Sequence, residues 1–272
     1  MSEAINLHRD AKEMLKATSR TFFIPISYLS SGLQEAVMSA YLCMRAIDEI
    51  EDHPNLPNNV KADLLYTISV LLKKPFHDSE LMDILRPYES LLPEVTLRLS
   101  DWIKVCPPAI AANILDATST MARGMADWTL KEWNIKTEED LNDYTFYVAG
   151  LVGVMLTDIW KWHDGIEPDE SLAIAFGRGL QSVNILRNRI EDQERGVSFF
   201  PDGWELDDMF AYARRNLALA DAYLKDLKPG PIMHFCKIPL ALAHGTLDAL
   251  VKGKEKMSRT DVIKIVGRVV TE

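Results

Sequence analysis

Hydrophobic positions recur every three to four residues through nearly the whole chain, and no stretch alternates with the two-residue period of a strand. The pattern predicts helices separated by turn chemistry. Residues 5–17 form a short helix, and Thr18-Ser19-Arg20-Thr21-Phe22-Phe23 leads into a loop ending at Ser30-Ser31-Gly32. A long helix over 33–52 halts at His53-Pro54, because the residue before a proline is pushed out of the α region. Residues 60–73 make a helix closed by Lys73-Lys74-Pro75. Two short helices then reach Val105, and Cys106-Pro107-Pro108 is a firm break. A second long helix covers 109–130. Thr137-Glu138-Glu139-Asp140 has the form of a capping box and opens a third, running through Tyr144 to Trp162 and ended by His163-Asp164-Gly165. The fourth, 169–194, stops at Gly196. After the Phe199–Gly203 loop come a helix over 206–226, the breaker Lys228-Pro229-Gly230-Pro231 and two closing helices. With no repeat, linker or low-complexity segment, the expectation is a single all-α domain over 1–272. It should have about ten helices, four long ones forming a helical bundle around a central cavity.

Two of the long helices carry acidic stretches with one grammar. In Asp48-Glu49-Ile50-Glu51-Asp52, residues four apart project from the same face, so Asp48 and Asp52 point the same way with Glu51 beside them. In the stretch 184–192, Asn184, Asn188 and Asp192 form a stripe with Glu191 close by. Each stretch has an arginine within one turn, Arg45 and Arg187. Facing stripes of hard oxygen ligands would suit Mg²⁺ holding an anionic group between them. An acidic pair on a helix is commonly a solvated face. Here the run AVMSAYLCM before the first stripe is almost wholly apolar, and carboxylates at the end of a buried helix are costly unless a metal or arginine pairs with them.

Composition narrows the reading further. The chain has 272 residues, 47% hydrophobic and 26% charged, ample for a sizeable core. A net charge of −10 argues against nucleic acid, which needs basic patches, and means that an anionic ligand must be met by metal ions or local arginines. Cys43, Cys106 and Cys236 show no CxxC spacing and read as buried free thiols in a reducing compartment. The N-terminus lacks a signal peptide's apolar core, and no run approaches the roughly 18 consecutive apolar residues of a membrane span, so the expected location is cytoplasmic. His234 and His244 have no zinc spacing, and GRGLQ lacks the strand-before-helix context of a nucleotide loop.

Several blocks, in order, resemble the squalene and phytoene synthase family of head-to-head prenyl transferases. Ser19-Arg20-Thr21-Phe22 is similar to the family's Ser-Arg-Ser/Thr-Phe signature, and Tyr41–Asp52 to its first aspartate-rich region. Gly124-Met125-Ala126-Asp127 and Asp143–Gly153 resemble two further blocks, Leu180-Gln181 through Gly196 the second aspartate-rich region, and Phe235–Leu240 a late block. The resemblance implies an isoprenoid-synthase-type helical fold. It implies two prenyl diphosphates, commonly farnesyl diphosphate, held with two or three Mg²⁺ ions. It also implies ionisation of one allylic diphosphate and attack by the second substrate's double bond through a cyclopropyl intermediate. On this resemblance Asp48, Asp52, Asn184 and Asp192 are metal-associated, with Asp48, Asp52 and Asp192 acting in catalysis, and Glu51, Asn188 and Glu191 join the metal set. Ser19, Arg20, Tyr41, Arg45, Gln181 and Arg187 meet the substrate. Tyr144 is the candidate for proton handling, and Met38, Leu42, Met121, Met125, Val152 and Leu156 are candidates to line a dry prenyl channel. NADPH enters only as the reductant of the squalene synthases' second step, and no residue pattern here calls for it. Peripheral membrane contact and oligomeric state stay open.

One departure matters. The position of Asn188 is normally an aspartate in the family. Asparagine keeps an oxygen ligand but loses the charge, and losing one oriented group at a transition state costs on the order of 10²- to 10³-fold. Simple ionisation with capture by water needs less of the metal cluster than coupling does. The expectation from Asn188 is therefore a diphosphate-releasing enzyme that yields a prenyl alcohol such as farnesol. The alternatives are a retained head-to-head synthase and, from another class, a non-catalytic assembly factor. Retention of Asp48, Asp52, Asp192, Arg45, Arg187 and Tyr144 weighs against the last.

Overall fold

The computed structural model of the protein describes residues 2–19 and 21–271; 77% of the chain is helical, and no strand occurs among the described residues. The chain divides into two units, residues 1–132 and 133–272. The first contains α1 (Ser2–Thr18), α2 (Phe23–Ser27), α3 (Leu33–Glu51), α4 (Asn58–Leu72), α5 (Asp78–Leu85), a 3-10 turn (Arg86–Tyr88), α6 (Glu94–Leu97), α7 (Leu99–Val105) and α8 (Pro108–Leu130). The second contains α9 (Glu138–Thr145), a π-turn (Phe146–Gly150), α10 (Leu151–Asp164), α11 (Glu170–Glu194), α12 (Leu206–Asp226), α13 (Pro231–Val251) and α14 (Arg259–Thr271).

The first unit is built around α3, which packs against α1, α2, α4, α6, α7 and α8. Its apolar run explains this. Met38, Leu42, Cys43, Ile47 and Ile50 have no exposed surface, and burying each large side chain contributes roughly 1.5–3 kcal/mol. Several hydroxyl and indole groups inside this core find backbone partners, as burial demands. Ser39 Oγ donates to the Trp102 carbonyl (2.8 Å), the Trp102 indole N–H to the Val95 carbonyl (2.8 Å), and Thr96 Oγ1 to the Ala46 carbonyl (3.0 Å). Between α4 and α8, Ser119 Oγ donates to the Ser69 carbonyl (2.8 Å).

In the second unit the capping box forms as its sequence predicts. The Asp140 N–H donates to Thr137 Oγ1 (3.1 Å), and the Thr137 N–H to the Asp140 carboxylate (3.0 Å). The helix it opens does not run unbroken to Trp162, however. Phe146–Gly150 widens into the π-turn, and the extra residue changes the phase of everything after it by about 100°. This is the place where α11 comes closest. A Cβ on Gly177 of α11 would lie 2.2 Å from the Ala149 carbonyl oxygen, and one on Gly153 of α10 would lie 2.1 Å from the Ala173 carbonyl oxygen. Two backbones touch with no side chain between them. On another side of α11, a Cβ on Gly179 would meet Leu217 of α12 at 3.0 Å. The glycines of GRGLQ are helix-packing residues, which repays their poor helix propensity. Asp169 caps α11, accepting from the N–H groups of Ser171 (2.7 Å) and Leu172 (3.2 Å).

The three cysteines are buried and unpaired. Among the described residues no helix is long and apolar enough to cross a membrane.

The glycine contact gives a paired prediction. Gly177→Ala or Gly153→Ala places a methyl on a carbonyl oxygen of the neighbouring helix and is expected to destabilise by about 1–3 kcal/mol or more. Gly267→Ala in α14 meets nothing within 4 Å and is expected to be neutral or stabilising by up to about 1 kcal/mol. Urea unfolding of the three variants checks both signs.

Candidate functional site

Helical spacing places Tyr41, Arg45, Asp48 and Asp52 along one face at the C-terminal end of α3. At the start of that row, the Tyr41 hydroxyl donates to the Thr18 carbonyl (3.0 Å), where α1 ends, and its ring lies 6.1 Å from that of Phe22. Ser19 is next in the chain. It is buried, and its Oγ accepts from the Phe22 N–H (2.9 Å). The structure thus brings Ser19 and the Tyr41 face of α3 into one neighbourhood, whereas Arg20 lies outside the described residues.

One turn on, Arg45 forks between two carboxylates, Asp48 (2.7 Å) and Glu49. Burial pushes the Asp48 carboxyl up to about 7, the negative charges of Asp52 and Glu49 add to the shift, and Arg45 offsets part of it. Three carboxylates and one guanidinium leave an excess of negative charge that a hard divalent cation would relieve, so this donor set fits Mg²⁺. Asp52 is exposed at the helix end. Glu51 is buried, 4% exposed, beside Lys61 of α4, whose ammonium donates to the Glu51 carbonyl (2.6 Å).

On α11 the second row runs Gln181, Asn184, Asn188 and Asp192. Asn184 Nδ2 donates to Gln181 Oε1 (3.5 Å), and Asn188 Oδ1 accepts from Arg187 Nε (3.2 Å). Asp192 is buried, 6% exposed, and paired with Arg195 (2.5 Å). Arg187 and Glu191 are exposed. Among the described residues, no three His, Cys, Asp or Glu side chains are already gathered at metal-binding distance. In each row an arginine, rather than a third acid, is the nearest partner of the aspartate.

Tyr144, at the end of α9, is buried and stacked on Phe199 (4.9 Å between centroids, 18° between planes). Below it, the Tyr212 hydroxyl donates to Asn142 Oδ1 (2.8 Å), and an Arg178 amino group donates to the Asn142 carbonyl (3.0 Å). These contacts tie α9 to α12 and α11 at the threshold of the π-turn. Of the channel candidates, Met38, Leu42, Met121 and Met125 are buried in the core of the first unit, and Val152 and Leu156 on α10 are half-buried. Glu49 and Arg195, the ion-pair partners, are the residues that the sequence pattern underused. The signal was present as i,i+4 and i,i+3 spacing from Arg45 and Asp192.

The raised Asp48 carboxyl has a consequence for stability. Between its ordinary value of 3.8 and about 7 the folded state holds a proton that the unfolded chain has released, so this group's contribution falls as pH rises through that window and levels above it. In metal-free protein, Asp48→Asn is expected to be more stable than the parent at pH 8, by on the order of 1 kcal/mol. The difference should close as pH approaches 4. Thermal unfolding in chelator across pH is the measurement, and a gap that widens toward low pH would contradict this account.

A family profile described as squalene/phytoene synthase matches residues 15–207, well over half of the chain. The squalene synthase of Schizosaccharomyces pombe is 30% identical over 284 aligned positions, covering 91% of this chain and 60% of that protein. The chain spans about three fifths of the length of the curated relatives it matches. Among solved structures, one described as TcSQS with the ligand BPH1237 superposes with a TM-score of 0.80 at 24% identity, covering 97% of this chain and 86% of the other. A dehydrosqualene synthase in complex with ligand superposes at 0.62 with 17% identity, covering 99% and 97%. These likenesses carry the all-α fold, and the profile carries the kinship: the chain belongs to the squalene/phytoene synthase family.

Proposed function

We propose that the chain is a Mg²⁺-dependent head-to-head prenyl transferase acting on farnesyl diphosphate or a similar prenyl diphosphate. The observation that carries the reading is the Tyr41–Arg45–Asp48–Asp52 face of α3, in a chain similar to squalene synthases over nine tenths of its length. Its carboxylates are oxygen donors that would hold Mg²⁺, and the row on α11 (Asn184, Asn188, Asp192, with Glu191 beside it) is, on its own helix, a second set of such donors. Bound there, the metal would supply Lewis-acid charge to the departing diphosphate, a stabilisation of several kcal/mol.

The chain's own groups do the rest. Arg45, Arg187 and Arg20 offer charge-assisted hydrogen bonds to phosphate oxygens, with Ser19, Tyr41 and Gln181 as neutral partners. Exchanging a carboxylate for a phosphate oxygen asks Arg45 to turn only from Asp48 or Glu49 toward the ligand. Tyr144 keeps a phenolic oxygen in a stacked, buried setting suited to holding or passing a proton near a cation. Apolar side chains such as Val152 and Leu156 exclude water, so that the second substrate's double bond is the nucleophile that the cation meets.

Capture of the cation by water, giving farnesol, remains the second reading and rests on Asn188, whose amide oxygen faces Arg187. The comparisons favour coupling, since the curated relatives are named squalene synthases and a structural neighbour is named a dehydrosqualene synthase.

Incubation with farnesyl diphosphate and Mg²⁺ is expected to give a thirty-carbon product, presqualene diphosphate alone or squalene when NADPH is added, and chelator should abolish it. Farnesol as sole product would replace coupling with water capture. Turnover of neither farnesyl nor geranylgeranyl diphosphate would overturn both readings and leave an assembly role. Asp52→Asn is expected to lower turnover by about 10²- to 10³-fold. Asn188→Asp should raise the ratio of coupled product to farnesol, and an unchanged ratio would remove the significance attached to that asparagine.

A further inference from the structure

The charge of this protein is unevenly spread. The chain as a whole carries −10, yet the segment 252–268 holds six basic residues (Lys252, Lys254, Lys256, Arg259, Lys264 and Arg268) against Glu255 and Asp261. All six are exposed. Asp261 is engaged locally: its carboxylate receives the Ser258 hydroxyl (2.7 Å), which with Lys254 and Lys264 holds it below the usual carboxylate range.

The packing of α14 determines which side is left outward. The helix rests on α13, where Ile265 and the preceding Met257 crowd Gly245; a Cβ there would lie 2.7 Å from Ile265 Cδ1 and 2.9 Å from Met257 Sδ. Val269 is buried on that same side. Ile263 lies on the opposite side of the helix and is 71% exposed, the barest of the large hydrophobic residues among those described. Arg259 precedes it by one turn, Lys264 adjoins it, and Gly267 follows one turn later. At the end of α13, Val251 is 53% exposed beside Lys252. An exposed branched side chain amid long cationic stems matches the demands of a lipid surface. Cations would meet headgroup phosphates, their aliphatic stems would lie along the boundary, and the apolar residue would enter it.

We propose that α14 and the turn before it dock the protein on an anionic phospholipid surface, with Ile263 and Val251 as apolar contacts and the lysines and arginines as the electrostatic attraction. The remaining surface, strongly acidic in sum, is repelled by the same membrane, so the attraction also fixes which face turns toward the lipid. This proposal does not depend on the prenyl transferase reading.

The test is co-sedimentation of the full chain with vesicles of pure phosphatidylcholine and with vesicles containing about one third phosphatidylglycerol. Binding is expected to the anionic vesicles only, and to weaken as salt shortens the screening length from about 10 Å at 0.1 M toward 3 Å at 1 M. Each removed basic charge should cost on the order of five-fold in partitioning. The triple variant Lys252→Glu, Lys254→Glu, Lys264→Glu is therefore expected to lose binding entirely. Ile263→Ser should weaken it while leaving the salt dependence in place. Circular dichroism establishes that the variants remain folded. Equal binding to neutral vesicles, no binding to either kind, or unchanged binding of a folded triple variant would each overturn the proposal. So would a salt-sensitive dimer in sedimentation equilibrium that the triple variant abolishes, since the basic face would then belong to a second copy.

Discussion

Carboxylates gathered at the end of a buried helix set the terms for the first unit. Asp48, Glu49 and Asp52 share the last turns of α3 with one guanidinium, and α3 is also the element against which six other helices of the unit pack. The same helix is therefore apolar enough to organise a core and charged enough to carry the candidate site. It meets both demands by position, with Met38, Leu42 and Ile47 on the faces toward its neighbours and Tyr41, Arg45, Asp48 and Asp52 along one row. The concentration of negative charge is tolerated because Arg45 offsets some of it and because Asp48 can hold a proton up to about pH 7. Destabilisation of this kind is a familiar compromise at ligand sites, and the proposed Mg²⁺ site would carry it in the absence of its cation.

The second unit depends on a different constraint, the direct approach of two backbones. With Gly153 and Gly177 lying against carbonyl groups, α10 and α11 are closer than any side chain would permit, and α11 in turn offers Gly179 to α12. The row from Gln181 to Asp192 begins within a turn of that contact. A long helix held by backbone contact near its start has little freedom to rotate about its axis. The direction in which Asn184, Asn188 and Asp192 point is thereby tied to the glycines rather than to the charged residues themselves.

Much of this was legible in the sequence. The 3.6-residue period fixes the all-α class, Pro54 and the Cys106-Pro107-Pro108 run end helices where expected, and the Thr137–Asp140 box forms. The row on α3 follows from spacing alone. Other features were hidden for identifiable reasons. Phe146–Gly150 sits in a run, FYVAGLVGVML, so apolar that a helix and a widened turn leave the same hydrophobic trace. The glycines of GRGLQ could be rejected as a nucleotide loop but not assigned a partner, because a missing side chain does not name what fills its place. The pairing of Asp192 with Arg195 competes with Arg187 and Arg189 in the same stretch, and only the fold chooses among them.

The π-turn bears on how this chain can change over generations. Because it contains one residue more than a regular turn, a single-residue deletion within Phe146–Gly150 could be absorbed by closing to an ordinary α-helix. That repair would keep every backbone hydrogen bond of the helix yet rotate all of α10 relative to α9 by about 100°. Gly153 would turn away from Ala173, and the Val152 and Leu156 face would turn with it. The segment is thus tolerant of loss as a helix and intolerant as a spacer, so its length should be guarded more strictly in descendants than most of its individual side chains.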